Sequence, residues 1–225
     1  MMDEKEFVSL HDSGDRTIIV GEKEAGQCLY KVSSLAMSMA SPVWRAMFNP
    51  VSGFRESNPD VPVEFPEDDP DVLLILLRIA HLQFHHLPKS ISFAWLMELA
   101  VLCDKYDTVH LVQPFIENWM SPWTLLCLEA GYEDWLFIAW TFRCQKIFSL
   151  LAASLVLSIE VGSDDNILNP GNEVLGDHMP PQIIGKYSIF CDIFLEPLRF
   201  NHVVFAALRF YIYQLSKRMN SCANI

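Results

Sequence analysis

The sequence predicts an α+β protein, mostly α, in which a small mixed sheet of about three strands is flanked by helices and followed by an all-helical extension. Three observations carry this. A β-branched, apolar run, Thr17–Val20, and a second strand-like run, Gln27–Val32, flank a Gly-Glu-Lys-Glu-Ala-Gly turn, which is a hairpin pattern. A third run, Val61–Phe65, alternates apolar and polar residues, and Pro62 assigns it to a sheet edge or a strand start. Beyond it, apolar residues recur at helical spacing behind repeated Ser-Pro, Asp-Pro and Ser starts.

In chain order, residues 1–14 are polar and read as a flexible N-terminus, with Phe7–Leu10 the one stretch able to add a weak element. After the hairpin, Ser33 or Ser34 can cap a first helix, because a serine oxygen accepts from the orphan N–H groups of an opening turn. Ser41 caps a second, with Pro42 at its first position, where a missing N–H costs nothing. Val43 and Met47, with Trp44 and Phe48, are expected to fix that helix in a core. Residues 49–60, rich in Pro, Gly, Ser and Asn, form a loop.

The acidic cluster Glu67-Asp68-Asp69-Pro70-Asp71 reads as a helix start: Asp69 the N-cap, Pro70 the first helical residue, the carboxylates favoured by the helix dipole. Calcium or magnesium binding would need a second oxygen cluster at loop spacing, which is lacking. The following helix, expected through about Phe84, is apolar nearly all round and so covered on both sides. Ser92 caps the next helix, to Asp107-Thr108. Another follows from Val109 to Met120. Ser121-Pro122 opens a helix through Ala130, and Glu133 to Val161 continues helically with a bend. Residues 121–161 thus form a helical extension packed on the 15–120 domain. Residues 162–185 read as a loop or linker, and 186–225 as C-terminal helices with a break at Pro197.

Composition bounds the function. The 225 residues are 51% hydrophobic, enough for a sizeable core, and the net charge of −12 with no basic run excludes broad nucleic-acid binding. The six cysteines are scattered without a CxxC, and the first residues form no signal peptide, which points to buried thiols in cytoplasm or nucleus. The apolar run Ile147–Ile159 spans about 20 Å as a helix, short of the roughly 30 Å hydrocarbon core, so it is a buried helix and no membrane association is expected. No nucleotide-binding, nucleophile-elbow or HExxH signature occurs. Neither Cys103 beside Asp104 nor the Glu133-Asp134 pair makes a catalytic couple. No enzyme and no cofactor are expected. The one metal-dependent alternative uses His81 and His85, four apart on a helix face and able to ligate zinc, although no further ligand stands at a usable spacing.

The pattern Val-x4-Met-x3-Ser-Pro-x-Trp-x-x-Met-Phe, here Val32, Met37, Ser41, Pro42, Trp44, Met47 and Phe48, resembles the heart of a BTB/POZ domain. Gly14–Gly21 is similar to that family's opening strand, and Phe54–Glu56, Val61–Phe65 and Asp68-Asp69-Pro70 to its loop, third strand and next helix start. Leu77–Leu82, Leu102–Asp107 and Trp135–Trp140 resemble stretches of fungal BTB-domain proteins. The resemblance covers Asp15 to Trp119. It implies a non-enzymatic protein–protein interaction module, an adaptor whose partners are proteins. It further implies substrate-adaptor work in a cullin-based ubiquitin ligase, with the family's apolar-x-acidic cullin contact matched by Phe54 and Glu56. The plainer alternative is that Phe54 tucks under its loop. The family's charged dimer pocket pairs an Asp with a basic residue. Asp15 matches the first, but Ser34 stands where the base would be, which puts homodimerisation by that route in doubt.

Overall fold

The computed structural model describes residues 6–158 except 24, 25, 52, 60 and 130, together with 160–161 and 167–168. The expected helices and kink within 186–225, and most of the expected linker, lie outside the described residues. The chain divides into two compact units, Met1–Ser121 and Pro122–Ile225.

The first unit is built on four strands rather than three: β1 (Glu6–Ser9), β2 (Arg16–Val20), β3 (Cys28–Val32) and β4 (Val63–Phe65), in the spatial order β1-β3-β2-β4. β2 and β3 form the expected antiparallel hairpin, with Ile18 opposite Tyr30. β4 lies parallel to β2 at one edge, with Val63 opposite Ile18. β1 is the weak element anticipated at Phe7–Leu10 and corrects the flexible reading for residues 6–9. It pairs parallel with β3, and the chain beyond it is tied down where the Leu10 N–H donates to Lys31 O at 2.9 Å. The period of two sends Ile18, Val20, Tyr30, Val32, Val63 and Phe65 to the buried face.

Helices α1 (Ser34–Ala40), α2 (Pro42–Phe48), α3 (Pro70–Ala80), α4 (Phe93–Tyr106) and α5 (Val109–Met120) complete this unit. Local chemistry sets their starts. Ser33 caps α1, Ser41 α2, Asp69 α3 and Ser92 α4, each accepting a backbone N–H three residues on. On α2 the buried pair is Trp44 and Phe48, while Val43 is exposed and Met47 half-buried, so the expected core stripe is rotated by one residue. α3 is buried at every position from Val72 to Leu77, as its all-round apolar surface requires.

Helix ends depart from expectation. α3 stops at Ala80, and Phe84–His86 is a separate 3₁₀ turn. The stop is a Schellman arrangement: Leu82 takes φ 60°, its N–H donates to Ile79 O, and the Gln83 N–H donates to Arg78 O at 2.8 Å. Asp107 and Arg143 close α4 and a later helix in the same way. Where a helix from Ser121-Pro122 through Ala130 was expected, Ser121–Leu126 is only a 3₁₀ turn. Where one bent helix was expected there are two, α6 (Trp135–Thr141) and α7 (Gln145–Ser158), parted by left-handed Arg143. The extension is not all helical either: β5 (Glu160–Val161) and β6 (Ile167–Leu168) pair antiparallel. No helix among the described residues is long and apolar enough to cross a membrane.

Candidate functional site

The loop between α2 and β4 carries the first candidate pair. Arg55–Ser57 forms a single 3₁₀ turn starting from Phe54. Within the turn, Ser57 donates through its N–H (3.1 Å) and its hydroxyl (2.6 Å) to Phe54 O. Phe54 is 56% exposed and Glu56 half-exposed, so Phe54 does not tuck under the loop. An aromatic side chain left in water forgoes about 25 cal/mol for each Å² it fails to bury. The turn holds it out all the same.

What joins this turn to the sheet is a residue that composition and spacing did not single out. Arg16, at the start of β2, is only 7% exposed, and its Nη2 donates to Ser57 O at 3.0 Å. The guanidinium lies over the Phe48 ring at 5.6 Å from the centroid, in the range of a cation–π contact. Its Nε and Nη1 have no hydrogen-bond acceptor among the described residues. A buried arginine held by one carbonyl and one ring is a spacer: it fixes the distance from β2 and α2 to the Phe54 turn.

Asp15 and Ser34 are brought together. The Ser34 N–H donates to Asp15 Oδ1 at 2.8 Å and its hydroxyl to Oδ2 at 2.6 Å, so the carboxylate caps the first turn of α1. Partial burial works to raise the Asp15 pKa, but the Ser34 hydroxyl and N–H outweigh it and hold the carboxyl below its ordinary value. Both carboxylate oxygens are thus engaged within the chain, which is a structural use of the residues assigned to a dimer pocket. One turn apart on α1, Leu35 and Met39 are exposed.

A cavity of about 320 Å³ opens beside Asp15, lined also by Phe7, Thr17, Lys31, Pro59 and Pro62. Its charged groups, Asp15, Lys31 and Arg16, are each engaged within the chain: Asp15 is bound by Ser34, Lys31 Nζ donates to Asp12 O at 2.8 Å, and Arg16 Nη2 donates to Ser57 O at 3.0 Å.

His81 is engaged at both nitrogens. Nε2 accepts the Ser33 N–H at 2.9 Å, and Nδ1 lies 2.7 Å from Leu77 O, an acceptor only, so Nδ1 carries the proton. Burial holds its pKa below the ordinary value; the bond to Leu77 O opposes this and nearby His11 adds to it. The lone pair a metal would need already binds the N–H that opens α1. His85 belongs to the separate 3₁₀ turn, where its ring lies 4.0 Å from that of His86. The two histidines therefore do not share the helix face that their spacing suggested, and no group of metal-ligating side chains forms among the described residues.

The acidic cluster and the Leu-Cys-Asp-Lys-Tyr-Asp stretch resolve into one buried network. Asp68, 3% exposed, accepts from Tyr106 Oη on one oxygen and from Lys105 Nζ at 2.7 Å on the other. Tyr106 O accepts in turn from the Ser41 hydroxyl at 2.6 Å, and Ser41 Oγ itself accepts the Trp44 N–H at 3.1 Å. Burial, and then Asp68, push the Tyr106 phenol well above its usual value. The Cys103 thiol is pushed up by burial to about 12, which leaves it inert as a nucleophile. This network joins the β4–α3 corner, α2 and α4.

Compared with family models and with curated proteins, the chain matches none.

Proposed function

We propose that this protein is a non-enzymatic protein–protein interaction module of BTB/POZ type, acting as an adaptor, with Phe54 and Glu56 as its partner contact. The observation that supports the reading is an aromatic side chain more than half exposed on a turn that Arg16 ties to the sheet, with a carboxylate two residues on. An anchor of that kind, large, apolar and held in place before binding, is what interface hot spots are made of. The sheet-and-helix arrangement of the first unit and the buried Asp68–Tyr106 network serve the same end, a rigid platform.

A cullin scaffold is the partner class that the apolar-x-acidic turn favours, which would make the protein a substrate adaptor of a ubiquitin ligase. The test is binding of the purified chain to the N-terminal domain of a cullin. A complex is expected for the wild type, with a loss of at least about thirtyfold in affinity for Phe54→Ala plus Glu56→Ala, the scale of a central anchor. Unchanged binding by the double variant would remove the contact. No binding by either would leave the interaction-module reading and discard the cullin.

A further inference from the structure

We propose that the junction of His81 with Ser33 is an acid-sensitive latch: the neutral imidazole ties the start of α1 to the end of α3, and its protonation frees the first turn of α1. The inference does not depend on the Phe54 turn. A helix start leaves backbone N–H groups without partners, and the N–H of a capping serine is commonly taken by a Glu or Gln three positions on. Here that position is Ala36, so Ser33 receives no such help from its own helix. The acceptor comes instead from the end of α3, where His81 Nε2 takes the Ser33 N–H at 2.9 Å. Nδ1 donates to Leu77 O at 2.7 Å, which leaves Nε2 the acceptor of the neutral ring.

One added proton reverses that arrangement. An imidazolium donates at both nitrogens and accepts at neither, so its Nε2–H would face the Ser33 N–H, donor against donor, at a helix end that carries positive partial charge. The two must part. Leu77 O still accepts from Nδ1, so His81 keeps its place at the end of α3 and Ser33 yields. The charged groups of the adjoining elements oppose the new charge or are engaged elsewhere. His11, in the loop after β1, adds repulsion. Lys31 on β3 donates to Asp12 O, Arg78 on α3 donates to His86 O, and the rings of His85 and His86 lie against each other. The Asp15 carboxylate is taken up by Ser34. The opening is local: Met37 and Ala40 are buried further along α1, and Ser41 caps α2 from a buried position, so the helix stays docked while its first turn, with exposed Leu35, is released.

The test follows the full chain by amide exchange and by NMR of the His81 ring from pH about 7.5 to about 4.5, a range in which Asp15, held below its ordinary value, stays ionised. Protection of the Ser33 and Met37 amides, corrected for intrinsic exchange, should fall at least about tenfold as His81 titrates, with β2 and β3 unchanged. The Ser33 amide resonance should move with the midpoint of the His81 ring. His81→Gln, whose carbonyl accepts and does not titrate, should keep the first turn protected across the range. If the glutamine does not hold the turn even at neutral pH, the shared midpoint in the wild type decides. First-turn protection that persists while His81 titrates, or a Ser33 midpoint apart from that of His81, would overturn the proposal. So would an equal loss in β2 and β3, which is general acid unfolding, or an acid loss that survives His81→Gln, which belongs to another group.

Discussion

Replacing Tyr106 by phenylalanine removes one oxygen and leaves the ring in place against Trp44, 5.3 Å between centroids, and Phe65, 5.8 Å. The lost group is the donor to Asp68 Oδ2, and Asp68 is 3% exposed. Water cannot readily replace the phenol there, and among the described residues it is Lys105, on the other oxygen, that still offsets the buried charge. Hydrogen bonds to charged groups are worth about 1.5–3 kcal/mol, so Tyr106→Phe should cost about 2 kcal/mol at neutral pH. Urea unfolding followed by tryptophan fluorescence should show a lowered midpoint at constant m-value, because the surface exposed on unfolding does not change. The pH dependence supplies a second sign. The phenol is raised in the folded protein, so its contribution is complete below the tyrosine value of the unfolded chain, about 10, and is lost as pH rises beyond it. The phenylalanine variant should lose less stability there. A cost below about 0.5 kcal/mol, or an unchanged alkaline slope, would refute the view that this network anchors the platform.

Three further outcomes follow from the same geometry. Ser41→Ala removes both the cap of α2 and the donor to Tyr106 O, at a fully buried position, and should cost about 2 kcal/mol in the same urea assay. His81 is held neutral with a pKa below its ordinary value, so the stability it lends is present above about 6.5 and is lost as pH falls through the lowered folded value. His81→Gln should flatten that acid limb in unfolding curves between neutral and mildly acidic pH, by offering an amide that cannot be protonated. Arg16→Met keeps bulk against Phe48 but drops the bond to Ser57 O, and should raise amide exchange in residues 54–58 well above that in β2 and β3. Exchange confined to its wild-type pattern would show that the turn holds itself.

Much of the fold is legible because its signals are local. Ser33, Ser41, Asp69 and Ser92 announce helix starts through a side-chain oxygen and, in two cases, a following proline, and they cap as expected. The hairpin and the edge placement of the third run follow from β-branching and from Pro62. Stops are harder to read. Leu82 and Arg143 fill left-handed positions where glycine would have advertised the end, so α3 reads too long and α6 and α7 fuse, whereas the stop of α4 at Asp107 is legible. β1 is legible only as a weak element at Phe7–Leu10, because so short a run gains its order from pairing with β3, a non-local contact. The one-residue rotation of the buried stripe on α2 depends on where the sheet lies, which periodicity does not state.

The candidate site divides in the same manner. Phe54 and Glu56 come from resemblance, and their exposure is consistent with it. Asp15 and Ser34 are brought together, but as a helix cap. Arg16 could not be found from spacing, since an arginine at a strand start is ordinarily a solvated end and only the tertiary fold buries it against Phe48 and Ser57.

The central claim, that the turn at Phe54 and Glu56 is where this protein is held by others, is tested most directly by parallel affinity purification with partner identification. The wild-type chain and Phe54→Ala plus Glu56→Ala serve as baits, matched by circular dichroism and urea midpoint. The account predicts a discrete set of proteins on the wild type that is lost from the equally folded double variant. The same set on both baits would contradict it.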